Sequence, residues 1–240
     1  MRPVVRGDCP KNQDNTEIKY SDFPNARGAL INRLGEFCSY CEMRLEAGLA
    51  VEHIQPKKPD GATGVISDRE SDWQNFLLAC PNCNSTKGNT EVIIEDYYWP
   101  DRDNTFRALQ YSVDGIIKPD ATLSNDEKLR ADATIKLTGL DKQPLNNPKA
   151  SDRRWLNRRD VWNIAQKTKH RLTGNSNNTD FRETIVDVAT GHGHWSIWMT
   201  VFKEDADMLR RFINAFSGTC HECFDDTNQY FAIARQGGQI

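Results

Sequence analysis

The sequence lacks a long apolar run, an apolar N-terminal stretch and a large excess of charge of either sign. A helix needs roughly 18 or more consecutive apolar residues to span a bilayer, and a signal peptide needs an apolar core of its own. We therefore expect no membrane span, no secretion and a cytoplasmic location. The net charge of −3 excludes a polycation that attracts anions over its whole surface. The absence of a G-x-x-x-x-G-K-[ST] sequence excludes ATP binding through that loop.

Cysteine is present in an odd number, seven, and without a secretion signal we expect the thiols to be reduced. Six of them form three C-x-x-C pairs: Cys38/Cys41, Cys80/Cys83 and Cys220/Cys223. The first two pairs predict one tetrahedral four-cysteine zinc site, which is structural because four thiolates leave no open position for water or substrate. The third pair has no partner pair at suitable spacing, and we interpret it as turn or core cysteines.

Local patterns predict an α+β fold that is mainly helical. Apolar spacing and turn residues indicate a strand at Leu49–Ile54, a hairpin around Asp114-Gly115, and helices at Asp22–Phe37, from Cys83, Ser124–Gly139, Pro148–Leu172, Phe181–Val188 and Lys203–Phe216. We predict three segments: an N-terminal lead-in (1–29), a core with the zinc site (30–100), and a mainly helical region (101–240) for binding a partner, nucleic acid or both.

Positive charge is concentrated in one segment, from Lys149 to Arg171, where eight Lys and Arg residues stand against two Asp. Such a segment favours contact with a nucleic-acid backbone, because each neutralised phosphate adds salt-dependent affinity. The residues that we predict to make these contacts are Arg153, Arg154, Arg158 and Arg159. A solvated helix face, or a surface for an acidic partner, is the alternative.

The remaining polar residues of interest lie around the two cysteine pairs. Glu52-His53 precedes Asn75, and Asn84 follows directly after Cys83. A lone Glu-His pair would mean little, but this order and spacing resembles the ββα-metal motif of the HNH endonucleases in its zinc-stabilised form. The residues that match are Cys38, Cys41, Glu52, His53, Asn75, Cys80, Cys83, Asn84 and Lys87.

The resemblance implies a role for each of these polar residues in phosphodiester hydrolysis. His53 would take a proton from water, while Glu52 and Asn84 would offer oxygen ligands to Mg²⁺ or Mn²⁺. Asn75 would orient the loop that bears the histidine, and Lys87 would contact a phosphate unless it is a solvated lysine at a helix end. Since Glu52 and His53 are adjacent and would point to opposite sides of a strand, we expect the site where the strand ends or twists.

The substrate that the resemblance favours is DNA, with RNA, including tRNA, as the alternative. A zinc-stabilised binding module without catalysis is the rival hypothesis from another class. The presence of His53 argues against that rival.

A narrower resemblance rests on five motifs: M-R-x-x-x-R-G, CSYCE, VEHIQPK, W-x-N-x-L-L-A-C and C-x-x-C-N-x-x-K-G. Together they are similar to the PtuB-type HNH subunit of Septu anti-phage systems, relatives of which accompany some retrons. This resemblance covers residues 1–90 well. It implies an ABC-type ATPase partner (PtuA-like), with a retron reverse transcriptase and its RNA–DNA as further candidates.

Overall fold

The computed structural model describes residues 1–143, 152–175 and 178–240. In these ranges the helices are α1 (Arg27–Leu34), α2 (Ser67–Glu70), α3 (Pro81–Lys87), α4 (Thr105–Ala108), α5 (Asn125–Thr138), α6 (Arg154–Thr173), α7 (Thr179–His192), α8 (Trp195–Val201) and α9 (Ala206–Ala215). The strands are β1 (Ala50–His53), β2 (Phe76–Ala79), β3 (Leu109–Tyr111), β4 (Ile117–Pro119), β5 (Phe224–Asp225) and β6 (Phe231–Ala232). They form small antiparallel pairs, so a mixed fold dominated by helices is confirmed. A search of the described helices finds none with the length and hydropathy to cross a membrane.

The strand predicted at Leu49–Ile54 is confirmed as β1, which pairs antiparallel with β2 so that His53 lies opposite Phe76. All four residues of β2 are buried, because this strand lies between β1 and the rest of the core. Helix α3 starts directly after β2, with Cys80 as its N-cap and Pro81 in its first turn, where a missing N–H costs nothing. The loop between the strands also contains the short helix α2, which we did not predict.

Helix α5 has the boundaries that the sequence predicts. At its start, the Ser124 hydroxyl accepts from the Glu127 N–H and the Glu127 carboxylate accepts from the Ser124 N–H, which is a complete capping box. At its end, Gly139 adopts a left-handed conformation with φ 63° and closes the helix. The preceding hairpin, β3–β4, turns at Asp114-Gly115 as predicted.

The C-terminal helices differ from prediction in position and number. Within the described residues α6 begins at Arg154, while the predicted start at Pro148 and the basic Lys149 lie outside them. Helix α8 was not predicted. His192 ends α7, and His194 has a φ of 55° in the link to α8.

The N-terminal lead-in packs into the same core as the rest of the chain. One cluster of buried apolar side chains draws residues from all three predicted segments. The Arg2 guanidinium donates to the carbonyls of Leu34 (2.7 Å) and Phe216 (3.0 Å), and so joins the ends of α1 and α9. The Arg6 guanidinium donates to the Phe76 carbonyl of β2 (2.9 Å) and pairs with Asp101 (3.0 Å). The division into three segments stays a prediction.

Two of the arginines predicted to contact nucleic acid, Arg154 and Arg158, are buried, each with 2% of its surface exposed. The Arg158 guanidinium donates to the carbonyls of Gly115 (2.7 Å) and Leu140 (2.9 Å). The Arg154 guanidinium donates to the Gly139 carbonyl (2.8 Å) among other internal acceptors. The predicted nucleic-acid contacts of these two residues are therefore wrong, because both guanidinium groups are buried in the interior and donate to internal acceptors.

The other two arginines of this set lie at the surface. Arg153 is exposed just before the first residue of α6. Arg159 lies over the ring of Trp155, with its guanidinium carbon 5.3 Å from the ring centroid, and is 3.9 Å from the Asp160 carboxylate. Their predicted contact with nucleic acid stays a prediction.

We expect Arg154→Met to destabilise the fold strongly and Arg153→Met to leave it nearly unchanged. Removing a buried guanidinium leaves its carboxylate and carbonyl partners without a hydrogen-bond donor, which lowers the free energy of unfolding by about 3–5 kcal/mol. An exposed substitution usually shifts the free energy of unfolding by less than about 0.5 kcal/mol. Urea unfolding of both variants against the wild type measures the difference. Equal stability of the two variants would contradict the internal role of Arg154.

Candidate metal centre and active site

Four buried cysteines, Cys38, Cys41, Cys80 and Cys83, meet at one point, as predicted. Their sulfur atoms all lie within 4.8 Å of one another, and the sulfurs of Cys41 and Cys80 are 3.7 Å apart. Zn–S bonds of about 2.3 Å in tetrahedral geometry place sulfur atoms roughly 3.8 Å apart. The cluster therefore fits a structural zinc ion.

The first cysteine pair lies on a tight turn that is attached to the second strand. The Cys38 amide donates to the Met43 carbonyl (3.0 Å) and the Glu42 amide donates to the Cys38 carbonyl (2.9 Å), which closes the turn. The Ser39 amide then donates to the Leu78 carbonyl of β2 (2.8 Å). On the other side, the Cys80 sulfur accepts from the Cys83 amide (3.4 Å) and caps α3. The cluster thus holds together the two ends of the segment between the pairs.

The C-terminal helices contact this cluster from outside. Arg154 of α6 donates to the Cys83 sulfur at 2.9 Å, which places a positive charge beside a group of thiolates. The link between α7 and α8 approaches the turn, where the His194 amide donates to the Glu42 carbonyl (2.8 Å). A side chain at Gly193 would bring its Cβ within 2.5 Å of that carbonyl, so only glycine permits this approach.

Beside the cluster, Glu52, His53 and Asn84 line one cavity of about 390 Å³. Glu52 and His53 are the last two residues of β1, and Asn84 lies on the first turns of α3. The end of β1 thus lines the cavity, and the location of the catalytic site there stays a prediction. Among the described residues, the Asn84 side-chain amide has no hydrogen-bond partner, so its oxygen is available to a ligand in the cavity.

The imidazole of His53 is held by its surroundings on three sides. Its Nε2 lies 3.0 Å from the main-chain carbonyl oxygen of Glu70, and its ring contacts the edges of Phe23 (4.7 Å) and Phe76 (5.2 Å between centroids). Burial lowers the pKa of His53; the Glu70 carbonyl opposes this shift and the nearby charge of Lys57 adds to it. The ring is therefore neutral at pH 7, since even the ordinary pKa of about 6.5 lies below that value.

Glu52 forms a buried ion pair with Lys87, in which Nζ lies 2.9 Å from Oε1. The same ammonium donates to the His53 carbonyl at 2.7 Å. Burial raises the pKa of Glu52, and the ion pair opposes that shift. The predicted contact of Lys87 with a phosphate is wrong, because its side chain has no exposed surface and its ammonium is committed to internal partners.

The side chain of Asn75 joins Gln55, two residues after the histidine, to the loop that holds the ring. Its Oδ1 accepts from the Gln55 amide (2.8 Å), and its Nδ2 donates to the carbonyls of Gln55 (2.8 Å) and Arg69 (2.9 Å). Arg69 precedes Glu70, whose carbonyl contacts His53. Asn75 therefore fixes both sides of the imidazole without touching it.

Several cavity residues were not found by sequence reasoning, namely Phe23, Arg27 and Lys57. Lys57 stands four residues after His53 and could have been considered from that proximity. Phe23 and Arg27 lie far upstream of the histidine, and no local pattern connects them with it.

The third cysteine pair, Cys220 and Cys223, is buried at a short 3₁₀ turn. In the described part of the chain, a search for three or more metal-ligating side chains close together finds the four-thiol cluster, and this cluster does not include Cys220 or Cys223.

A four-thiol centre that fits zinc lies beside a cavity with a carboxylate, an imidazole and an amide, which are groups suited to metal-dependent hydrolysis. The sequence model of the HNH endonuclease family matches residues 38–90, about a fifth of the chain. This region is therefore an HNH endonuclease domain, which supports metal-dependent cleavage of nucleic acid in general. A comparison with curated proteins gives no match.

We expect Cys83→Ser to lower the zinc content well below one ion per chain and to destabilise the domain, while Cys9→Ser retains one zinc. Structural zinc contributes on the order of 10 kcal/mol in small domains, and Cys9 lies outside the cluster. Elemental analysis and thermal unfolding of both variants measure the effects. Full zinc content in Cys83→Ser would contradict the four-ligand site.

Proposed function

We propose that this chain is a metal-dependent HNH endonuclease that hydrolyses phosphodiester bonds in nucleic acid, with DNA as the favoured substrate. The observation that carries the proposal is the meeting of Glu52, His53 and Asn84 at one cavity beside the four-thiol cluster. The order β1–β2–α3 supports a ββα-metal core, because the acidic residue and the histidine end one strand and the amide lies on the helix.

In this proposal His53 is the general base. A carbonyl oxygen only accepts hydrogen bonds, so the Nε2 that faces the Glu70 carbonyl carries the ring proton. The lone pair is then on Nδ1, which has no partner among the described residues. Nδ1 takes the proton of the attacking water, and the neutral state favoured by burial keeps it ready to do so. Asn75 and the Glu70 carbonyl act as positioning groups for the ring.

Glu52 and Asn84 would hold the catalytic Mg²⁺ or Mn²⁺, because hard divalent cations prefer oxygen ligands. When bound, the ion supplies charge neutralisation at the scissile phosphate and at the leaving oxygen. Lys87 pairs with Oε1 of Glu52, and within the described residues no hydrogen bond to Oε2 is found. Lys87 thus orients the carboxylate and leaves one of its oxygens for the cavity.

We further propose that the chain acts as the HNH effector subunit of a Septu-type or retron-associated anti-phage complex. The support is the set of motifs in residues 1–90 that are similar to PtuB-type subunits. An ABC-type ATPase would be the partner that licenses cleavage, and residues 101–240 would offer the surface for it or for nucleic acid. Cleavage of RNA, including tRNA, is the alternative activity of the same site.

We expect purified wild-type protein to cleave supercoiled plasmid with Mg²⁺ or Mn²⁺, and His53→Ala to lose at least about 100-fold in rate, as removal of a general base usually does. His170→Ala is the matched control, because His170 is exposed on α6. Zinc content and thermal unfolding of each variant show whether the fold is intact. Total RNA, incubated in parallel, identifies the substrate class.

If the isolated chain cleaves neither substrate, the same assay with the ABC-type ATPase and ATP tests the licensing hypothesis. Cleavage that requires the ATPase and is lost in His53→Ala would support it. Continued absence of cleavage with zinc at one ion per chain would favour the binding module without catalysis.

A further inference from the structure

The outer wall of the cavity is built by residues that precede the HNH domain. Phe23, Pro24 and Arg27 line it, although the family match begins at residue 38. This segment is firmly anchored, because Ala26 and Leu30 are fully buried and the segment packs against β1 and β2. The backbone of Arg27 is therefore fixed at the cavity, while its side chain is exposed.

The other cations near the cavity already have acidic partners. Lys57 pairs with the Glu70 carboxylate at 2.7 Å, and its ammonium lies 4.2 Å from the centroid of the Phe23 ring. Lys87 is buried and pairs with Glu52. Arg27 differs from both, because its one contact within the described residues is a long hydrogen bond to the Leu49 carbonyl (3.4 Å). Its guanidinium thus has most of its N–H donors free at the mouth of the cavity.

We propose that Arg27 binds a backbone phosphate next to the one that is cleaved, and so extends the nucleic-acid site onto α1. The inference rests on the proposed function, since the phosphate is that of the nucleic acid cleaved in the cavity. A guanidinium presents parallel N–H groups that match two phosphate oxygens, which makes it suited to this ligand. The chain as a whole carries a charge of −3, so a polyanion needs such a local unpaired cation.

The same observations favour α1 over α6 as the cationic surface nearest to the chemistry. Arg154 and Arg158 are buried, and Arg159 is engaged with Trp155 and Asp160. Arg44 is exposed and is not among the residues that line the cavity. It is therefore a matched control, since it has the same side chain on the same protein outside the cavity and has no predicted contact with nucleic acid.

The experiment measures binding apart from cleavage. Wild type, Arg27→Gln, Arg27→Lys and Arg44→Gln, each loaded with zinc, are titrated into a fluorescein-labelled DNA duplex and a labelled RNA of the same sequence, without added Mg²⁺ or Mn²⁺. We expect Arg27→Gln to weaken binding about tenfold, the usual effect of losing a hydrogen bond to a charged group. The slope of log Kd against log salt should fall by about one. Arg27→Lys should retain the slope but recover only part of the affinity, and Arg44→Gln should match the wild type.

Three results would overturn the proposal: wild-type affinity and slope in Arg27→Gln, an equal loss in Arg44→Gln, or no binding of either probe by the wild type. Failure of the proposed function is a separate result. In that case the wild type binds and Arg27→Gln does not, but no cleavage occurs under any condition. Arg27 would then be a phosphate-binding residue of a protein without nuclease activity.

Discussion

The meeting of four thiols is the constraint on which the rest of the structure depends. The chain between the two cysteine pairs contains β1, a long loop and β2, and a two-stranded sheet of this size is marginal without further support. The cluster joins the turn before β1 to the helix after β2. The same turn accepts a hydrogen bond from the link between α7 and α8, and the cluster accepts one from α6. A zinc ion held by the four thiols would thereby stabilise contacts well outside the HNH domain.

Next to this cluster, the candidate site consists of buried polar groups with internal partners. Glu52, His53 and Lys87 are buried, and each has an internal partner within hydrogen-bond distance. Buried polar groups without partners would cost several kcal/mol, roughly 2–7 depending on the group, so these contacts are needed for folding. They also hold the imidazole and the carboxylate in one arrangement, which is the preorganisation that a catalytic site requires.

The charge of a segment does not show whether its arginines face solvent. At the start of α6, neighbouring arginines have opposite roles: Arg153 and Arg159 reach the surface, while Arg154 and Arg158 bind carbonyls in the interior. The two buried residues are four positions apart and so lie on the same helix face. Apolar residues at helical spacing indicate which face of a helix is buried. An arginine gives no such indication, because its side chain is compatible with the interior and with the surface. Only the packing of α6 against the cluster and the β3–β4 hairpin decides between them.

By itself the sequence determined the features that depend on near neighbours or on a strict ligand chemistry. These are the capping box and glycine end of α5, the strand before His53, and the four cysteines that can share one tetrahedral ion. The tertiary structure alone decided which residues share the cavity and which charges are buried. The hydrogen bond between Arg154 and Cys83 spans 71 positions of the chain. From outside the matched domain, Phe23 contacts His53 and Arg27 lines the same cavity. Such contacts depend on how whole elements pack, and a local pattern contains no information about that packing.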